Sequence, residues 1–250
     1  MSYVDFNAPK AEVDALADYW RQVGQVPSST PRALLVVSAH WEAEVPTLMT
    51  SPNPPMLYDY YGFPPAAYEI RWPAPGAPWL GARVQELLGQ ADIPSAVDGQ
   101  RGFDHGTFVP LGRSFPKADI PTLQLSLKNG LDPKLHLALG RALMPLRDEG
   151  VFIIGSGLSY HNMRGFGSSQ SDREAQEFDA WLQETIALPS EERDQRLAAW
   201  ERAPSARRVH PREEHLLPLM VAAGAAGDDR GKVPFSGKVF GKVICAAQFG

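Results

Sequence analysis

The sequence predicts an α/β fold in which helices cover both faces of one mixed β-sheet. Short aliphatic runs at residues 32–38, 121–127 and 151–154 have the pattern of buried strands, and amphipathic helical segments separate them. The chain has 250 residues, 44% of them hydrophobic, which is enough for a sizeable core. One large domain over residues 1–250 is therefore expected.

The N-terminal part is predicted to hold one helix, one strand and a long loop. Residues 11–23 place apolar side chains on a single helical stripe that ends before Gly24. Residues 32–38 (RALLVVS) form an unbroken aliphatic run, which is typical of an inner strand. Residues 51–78 are dense in Pro, Tyr and Gly, so we predict a surface loop with one short strand at 68–71.

The rest of the chain alternates strands and helices. Residues 121–127 and 151–154 are predicted strands, and the helix between them, at 133–146, has Pro133 in its first turn, where proline is tolerated. The same patterns predict helices at 79–88, 173–186, 193–200 and 213–223 and a terminal strand at 239–246.

Composition excludes several classes of partner. The formal net charge of −5 gives no reason to expect nucleic acid as a partner, because phosphate backbones are bound through clustered Lys and Arg. The first twenty residues carry charges, and no apolar run approaches the ~20 residues that cross a bilayer. Cys245 is the single cysteine, so no internal disulfide forms. We expect a cytoplasmic protein without membrane or nucleic-acid partners; the sequence is compatible with a homo-oligomer.

Sequence motifs narrow the chemistry. The chain contains no GxSxG elbow, no GxxxxGK[ST] loop, no GxGxxG after the early strand and no CxxC pair. Cys245 lies in an apolar run and has no context for thiol catalysis. These absences disfavour hydride and phosphoryl transfer and leave a histidine-rich site, which suits Fe(II) or Zn(II).

The six histidines differ in their surroundings. His136 lies within a predicted helix and is expected to be structural. His40 follows the strand at 32–38, and His161 follows the strand at 151–154. Ligands of open α/β sheets bind beyond the carboxyl ends of strands, so these two side chains are expected to meet at one crevice.

The remaining histidines also occur at the ends of predicted elements. His105 is expected in a loop (GFDHGTF), where Asp104 would orient its imidazole. His210 and His215 flank PREE, and His215 is expected one turn inside the helix that starts at 213. A single histidine of this kind is usually an ordinary loop or core residue, but several at element ends indicate a shared site.

At these residues the sequence resembles the class III extradiol ring-cleavage dioxygenases, in the single-subunit branch that includes bacterial and plant DOPA dioxygenases. The resemblance extends from about residue 3 to residue 250. It is carried by VVSAHWE (36–42), YDYYGFPPAAYEIRWPAPG (58–76), GFDHGTFVPL (102–111), DIPTLQLSL (119–127), LRDEGVFIIGSGLSYHN (146–162) and HPREEHLLPLMVAAGA (210–225).

The resemblance implies roles for the histidines. His40 and His215 match metal ligands, and His161 matches an acid/base residue that also contacts the metal. His105 matches a histidine close to substrate and dioxygen. Fe(II) is the implied catalytic metal, with Zn(II) as an alternative occupant, and the implied reactants are a small aromatic diol (a catechol) and O2.

Substrate contacts are expected from the aromatic loop and from one further histidine. The candidates are Tyr58, Tyr61, Phe63 and His210. An alternative interpretation of the aromatic residues is that they only cap the sheet. His210 is expected beside the metal ligands rather than among them.

One departure from the family concerns a further ligand, a histidine in an HG motif after the first strand. The first histidine of this chain is His40, and residues 3–9 resemble the segment that comes directly after that motif in the family. The motif is therefore expected upstream of Met1 or is absent. If it is absent, His40 and His215 remain, with Asp5, Glu42 or His161 as a third ligand.

Three functional hypotheses are compatible with these residues. The leading one is an Fe(II)-dependent extradiol dioxygenase of a small catechol. The second is a catalytically impaired metal-binding or interaction protein of the same fold, which the missing motif favours. The third is a zinc-dependent hydrolase that uses a metal-bound water, because the same imidazoles bind Zn(II).

Overall fold

A five-stranded mixed sheet with helices on both faces forms the centre of the molecule, as a computed structural model describes it for residues 9–250. The strands are β1 (Ala33–Ala43), β2 (Thr47–Met49), β3 (Ala96–Asp98), β4 (Thr122–Lys128), β5 (Val151–Ser156), β6 (Gly231–Val239) and β7 (Lys242–Phe249). The helices are α1 (Lys10–Val23), α2 (Pro78–Gln90), α3 (His105–Ser114), α4 (Pro133–Leu143), α5 (Ser169–Ile186), α6 (Ser190–Ala198), α7 (Ala206–Val209) and α8 (Leu217–Ala225). The predicted fold class is confirmed.

The strand order of the sheet is β3-β2-β4-β1-β5. β1 runs parallel to both β4 and β5, while β2 is antiparallel to β4. The carboxyl ends of β1, β4 and β5 therefore share one edge of the sheet. This edge is where ligands bind in open α/β sheets.

Alternation along β1 divides the core into two layers. Leu35 and Val37 belong to the larger apolar cluster, which includes side chains of α2, α4 and α8. Leu34 and Val36 belong to a second cluster with side chains of α3. All four are fully buried, and burying a side chain of this size contributes about 1.5–3 kcal/mol. Both faces of β1 are covered, which explains why its sequence is an unbroken aliphatic run rather than an alternation of apolar and polar residues.

β5 is an edge strand, and this corrects one expectation. Among the described residues β5 pairs only with β1. Val151 is buried, but Phe152, Ile153 and Ile154 are only partly buried and line a cavity of about 1290 Å³ that α1 and β7 also border. The prediction of a strand at 151–154 is therefore right, whereas the expectation that it is a buried inner strand is wrong.

One other strand prediction is wrong, and one has the wrong start. Residues 68–71 form no strand; a 3₁₀ helix covers Pro65–Glu69, where the Tyr60 hydroxyl donates to the Ala67 carbonyl. The predicted terminal strand at 239–246 is confirmed as β7, but it begins three residues later, at Lys242, because Phe240 and Gly241 both have positive φ and form the turn that joins β6 to β7. Paired positive φ values suit the two-residue turns of hairpins.

The remaining differences concern short or late elements. β2 and β3 have three residues each, and the residue patterns do not predict them. α8 begins at Leu217, with Pro218 in its first turn, so the predicted start at 213 is four residues early. Within residues 9–250 no helix combines the length and apolar character that a bilayer crossing requires.

Candidate active site

Four of the predicted site histidines converge at the carboxyl edge of the sheet. The ring centroids of His40 and His105 are 3.9 Å apart, and those of His40 and His215 are 4.8 Å apart. His161 stacks on His215 with centroids 3.4 Å apart and an angle of 19° between the planes. Side chains that are distant in the chain therefore form one cluster, which we call the imidazole cluster.

An irregularity in β1 places His40 in this cluster. β1 pairs with β4 in regular register as far as Val37, and the register has shifted where pairing resumes at Glu42. His40 lies in the shifted stretch, and its backbone N–H donates to the Ser38 hydroxyl rather than to β4 (3.2 Å). Irregularities of this kind re-aim side chains next to active sites.

His105 is the first residue of α3, which corrects its expected position in a loop. Pro110 lies inside this helix and has no N–H to donate to the Gly106 carbonyl. The Ser156 hydroxyl, at the end of β5, donates to that carbonyl instead. Gly106 also allows close packing on β1, since a Cβ there would lie 2.7 Å from the Ser38 hydroxyl and 2.8 Å from His40 Cδ2.

Asp59 orients the His105 ring, not Asp104 as expected. One Asp59 carboxylate oxygen lies 2.7 Å from His105 Nδ1 and accepts from the His105 backbone N–H at 3.0 Å. Burial by itself would raise the pKa of Asp59, but the hydrogen bonds from His105 outweigh it and hold this pKa below its usual value. The other Asp59 oxygen is 3.9 Å from His40 Nδ1.

Asp104 instead lies beneath the site in a buried polar network. It is fully buried, accepts from the Ser38 hydroxyl (2.8 Å) and pairs with Arg101 (3.2 Å) and the Gln124 amide. Burial raises the pKa of Asp104. The network ties β1 to the start of α3 and β4, so it supports both His40 and His105.

A second histidine–carboxylate pair lies on the opposite side of the cluster. His161 Nδ1 is 2.9 Å from a Glu214 carboxylate oxygen. Burial would raise the pKa of Glu214, but the hydrogen bond from His161 lowers it below its usual value. A Cβ at Gly157 would collide with the His215 carbonyl, so glycine allows the two segments to meet. His215 itself precedes α8 rather than lying one turn inside it.

Electrostatics keep two imidazoles of the cluster, His40 and His215, uncharged. Burial, followed by the neighbouring His105, lowers the pKa of His40 to about 4. Burial and the neighbouring histidines lower the pKa of His215 still further. His215 Nδ1 is buried and has no hydrogen-bond partner among residues 9–250. Neutral imidazoles offer a ring nitrogen lone pair, which is the form that binds a divalent metal.

The potential ligand atoms fall into two neighbouring groups. In one, atoms of His40, Asp59 and His105 lie within 4.8 Å of one another. In the other, atoms of His161, Glu214 and His215 meet the same limit. The contact between the His40 and His215 rings joins the two groups. The residues present therefore fit a bound divalent metal.

Comparison with known proteins decides the family. The model of a family described as the catalytic LigB subunit of aromatic ring-opening dioxygenase matches residues 7–244. The chain belongs to the LigB family. This match confirms the resemblance that the sequence motifs carry, and it identifies the chain as an extradiol ring-opening dioxygenase.

Individual relatives agree with this family. A Beta vulgaris protein named 4,5-DOPA dioxygenase extradiol is 41% identical over 213 residues, which cover 84% of this chain and 78% of that protein. An Escherichia coli K12 protein of the same name is 34% identical over 237 residues, 92% of this chain and 86% of that one. The crystal structure of an uncharacterized E. coli K12 protein matches with a TM-score of 0.79 at 30% identity, covering 94% and 92% of the two chains.

The candidates for a third ligand of this LigB-family dioxygenase have different surroundings. Asp5 lies outside the described residues. Glu42 is engaged by the Arg212 guanidinium, whose two nitrogens each lie 2.5 Å from a carboxylate oxygen. His161 lies directly against His215. Among these three candidates, only His161 is part of the imidazole cluster in the described chain.

The aromatic candidates differ in their contacts and in their exposure. Tyr58 packs on Phe108 (5.5 Å between centroids) and donates to the Ile70 carbonyl, whereas Tyr61 is 92% exposed. Phe63 packs edge-on against Tyr60 at 5.3 Å. Tyr60, which is absent from the predicted substrate contacts, lies edge-on to His105 at 5.4 Å.

Two predicted histidines lie outside the cluster. His210 is fully buried, and its Nε2 is 3.1 Å from the Ser159 carbonyl. His136 is structural, as expected: its Nδ1 lies 2.7 Å from the Asp132 carbonyl, and its Nε2 accepts from the Lys128 N–H. Sequence reasoning missed Asp59 and the pairing of Glu214, because neither partner is near its histidine in the chain.

Proposed function

We propose that this LigB-family dioxygenase binds Fe(II) in the imidazole cluster and opens the ring of a small catechol with O2. The observation that carries the proposal is the convergence of four imidazoles on one edge of the sheet, where His215 Nδ1 is buried and has no partner in the described part of the chain. Relatives named 4,5-DOPA dioxygenase extradiol support a catechol-type substrate.

The metal would be held by His40 and His215, and we assign His161, which stacks on His215, to proton transfer rather than to the metal. These donors are nitrogens, which suit Fe(II) and also Zn(II). When bound, Fe(II) supplies a template for both reactants and a path for electron density from the diol to O2. The neutral state of His40 at pH 7 supports this assignment, because its lone pair is not occupied by a proton.

His161 would act as the acid/base residue. Its Nδ1 faces the Glu214 carboxylate, which fixes this nitrogen as the N–H donor and leaves Nε2 as the basic nitrogen. The Glu214 charge also stabilises the imidazolium that forms when Nε2 takes the second hydroxyl proton of the catechol. Acid/base assistance of this kind contributes about a hundredfold to ten-thousandfold in rate.

His105 would hold the oxygen atoms of the reactants. Its Nδ1 bonds Asp59, so Nε2 is the ring nitrogen left for a ligand, and Tyr60 packs edge-on beside the ring. We place the aromatic ring of the substrate near Tyr60 rather than Tyr61, since Tyr61 is almost fully exposed. The cytoplasmic location remains a prediction from composition.

The test is oxygen uptake by protein that has been loaded with Fe(II) under anaerobic conditions. With catechols we expect O2 consumption and the visible absorbance of a ring-opened product. His161→Ala should abolish both while metal content, measured by elemental analysis, stays close to wild type. Normal turnover by this variant would refute the acid/base assignment.

Measurements on the metal-loaded protein also distinguish the proposed function from the two alternative hypotheses. Fe(II) binding without O2 uptake would indicate the catalytically impaired metal-binding protein. Ester hydrolysis by Zn(II)-loaded protein, with no turnover of catechols by the Fe(II)-loaded form, would indicate the hydrolase.

A further inference from the structure

The segment that carries His161, residues 157–162, has neither helix nor strand. The buried side chain of Tyr160 anchors it in the core, and hydrogen bonds to the chain between 208 and 215 hold its backbone. The Leu158 N–H donates to the His215 carbonyl, and the His161 N–H donates to the Val209 carbonyl, both at 3.1 Å. The orientation of the His161 ring therefore depends on the contacts of this segment, which we call the His161 segment.

His210 makes a contact to the middle of the His161 segment. Its Nε2 lies 3.1 Å from the Ser159 carbonyl, and a carbonyl only accepts, so Nε2 carries the hydrogen and donates. The ring is fully buried and packs edge-on against Phe178 and Trp200, with centroids 5.3 and 5.9 Å away. The same Ser159 accepts from the Cys245 N–H through its hydroxyl, so both groups of this residue are held.

The other nitrogen of His210 has no partner among the described residues. Nδ1 is buried and makes no hydrogen bond to any part of the chain that the structure describes, whereas both ring nitrogens of the equally buried His136 are satisfied. Burying a polar nitrogen without a partner is unfavourable, and an apolar ring would avoid that cost. An apolar ring at this position would therefore lose only the hydrogen bond from Nε2 to the Ser159 carbonyl.

We propose that His210 is a positioning residue, which holds the His161 segment through the Ser159 carbonyl and so keeps the His161 ring between Glu214 and His215. It has no place in the imidazole cluster and donates to backbone, so it acts through His161. This inference rests on the proposed function, because it assigns His210 an effect on the step that His161 performs. It replaces the sequence expectation that His210 contacts the substrate.

Two variants separate the hydrogen bond from the packing. His210→Phe keeps a ring between Phe178 and Trp200 but removes the donor. His210→Gln gives up the ring and keeps an amide donor that reaches the Ser159 carbonyl. His136→Phe is the matched control, because it makes the same change at a buried histidine outside the site; His136→Gln replaces it if His136→Phe does not fold.

In Fe(II)-loaded protein we expect His210→Phe to lower kcat for catechol by about 10- to 100-fold, the usual effect of losing a group that orients a site residue. KM should stay within about twofold and metal content should be unchanged, since the proposed ligands are untouched. His210→Gln should recover most of kcat. The His136 control should lower thermal stability and leave kcat at the wild-type level.

Hydrogen exchange of the metal-free proteins gives a readout that needs no activity. Amides of residues 158–162 should exchange about tenfold faster in His210→Phe than in wild type, and near the wild-type rate in His210→Gln and in the control, because exchange reports local opening. If wild type consumes no O2, the proposed function fails and exchange alone decides this inference. Wild-type exchange in His210→Phe, equal kcat losses in the His210 and His136 variants, or no rescue by glutamine would each overturn it.

Discussion

The close approach of α3 to β1 can be tested at Gly106. A methyl group at this position would lie 2.7 Å from the Ser38 hydroxyl and 2.8 Å from His40 Cδ2, both well inside van der Waals contact. Relief requires α3 to move away from β1 or the His40 ring to turn. Overpacking of this kind usually costs about 1–3 kcal/mol, so Gly106→Ala should lower stability by that amount and disturb His40.

Gly112 provides a matched control on the same helix. A Cβ there meets only Trp72 Cδ1, at 3.8 Å, which is ordinary contact. Gly112→Ala should therefore stabilise the protein by about 0.4–1 kcal/mol, because alanine has less backbone freedom to lose on folding.

Urea unfolding of the metal-free proteins measures both changes, and Fe(II) binding reports the effect on His40. Equal stabilisation by the two alanines, with unchanged metal binding, would refute the close packing of α3 on β1.

Two further predictions concern charge at the site. Glu214→Gln keeps the shape of the partner of His161 but removes its charge. Charged and neutral hydrogen bonds differ by about 1–2 kcal/mol, so kcat for catechol should fall about 5- to 30-fold. An unchanged kcat at full metal content would contradict this role. The second prediction is that the metal-free protein loses stability as the pH falls from about 6.5 towards 4. Burial lowers the pKa of both His40 and His210 to about 4 in the folded state, whereas the unfolded chain takes up these protons near pH 6.5. Each group then weakens folding by about 2 kcal/mol at pH 5. The urea midpoint should fall between pH 7 and pH 5, less steeply in His40→Gln, and a flat midpoint would show that these rings are not held neutral.

The site is assembled from element ends that different interactions hold together. His40 leaves an irregular part of β1, His105 begins α3, and His161 and His215 lie in segments without regular structure. Among the described residues, His40 and His215 make no hydrogen bond to a carboxylate, but each packs against a histidine that does. His40 lies against His105, and His215 lies against His161. This arrangement keeps the proposed metal ligands, His40 and His215, uncharged, and it gives the proposed proton-transfer residue, His161, a charged partner in Glu214.

The sequence alone was sufficient for the central strands and for the meeting of His40 with His161. An unbroken aliphatic run such as β1 is stable only when both faces are covered, and parallel strands end at the same edge of a sheet. The first rule depends only on residues that are neighbours in the chain, and the second depends only on the direction of the strands. The motif blocks also indicated the family, which the comparisons confirm.

Tertiary structure decided the partners and the exact positions. Asp59 rather than Asp104 orients His105, although Asp104 is the neighbour in the chain, because the network beneath β1 binds the Asp104 carboxylate. His210 was expected at the substrate and instead donates to backbone. β5 has the composition of an inner strand but lies at an edge of the described sheet. Hydrogen-bond partners and burial depend on segments that are distant in the chain, and local patterns of residue type carry no information about which distant atoms will be adjacent.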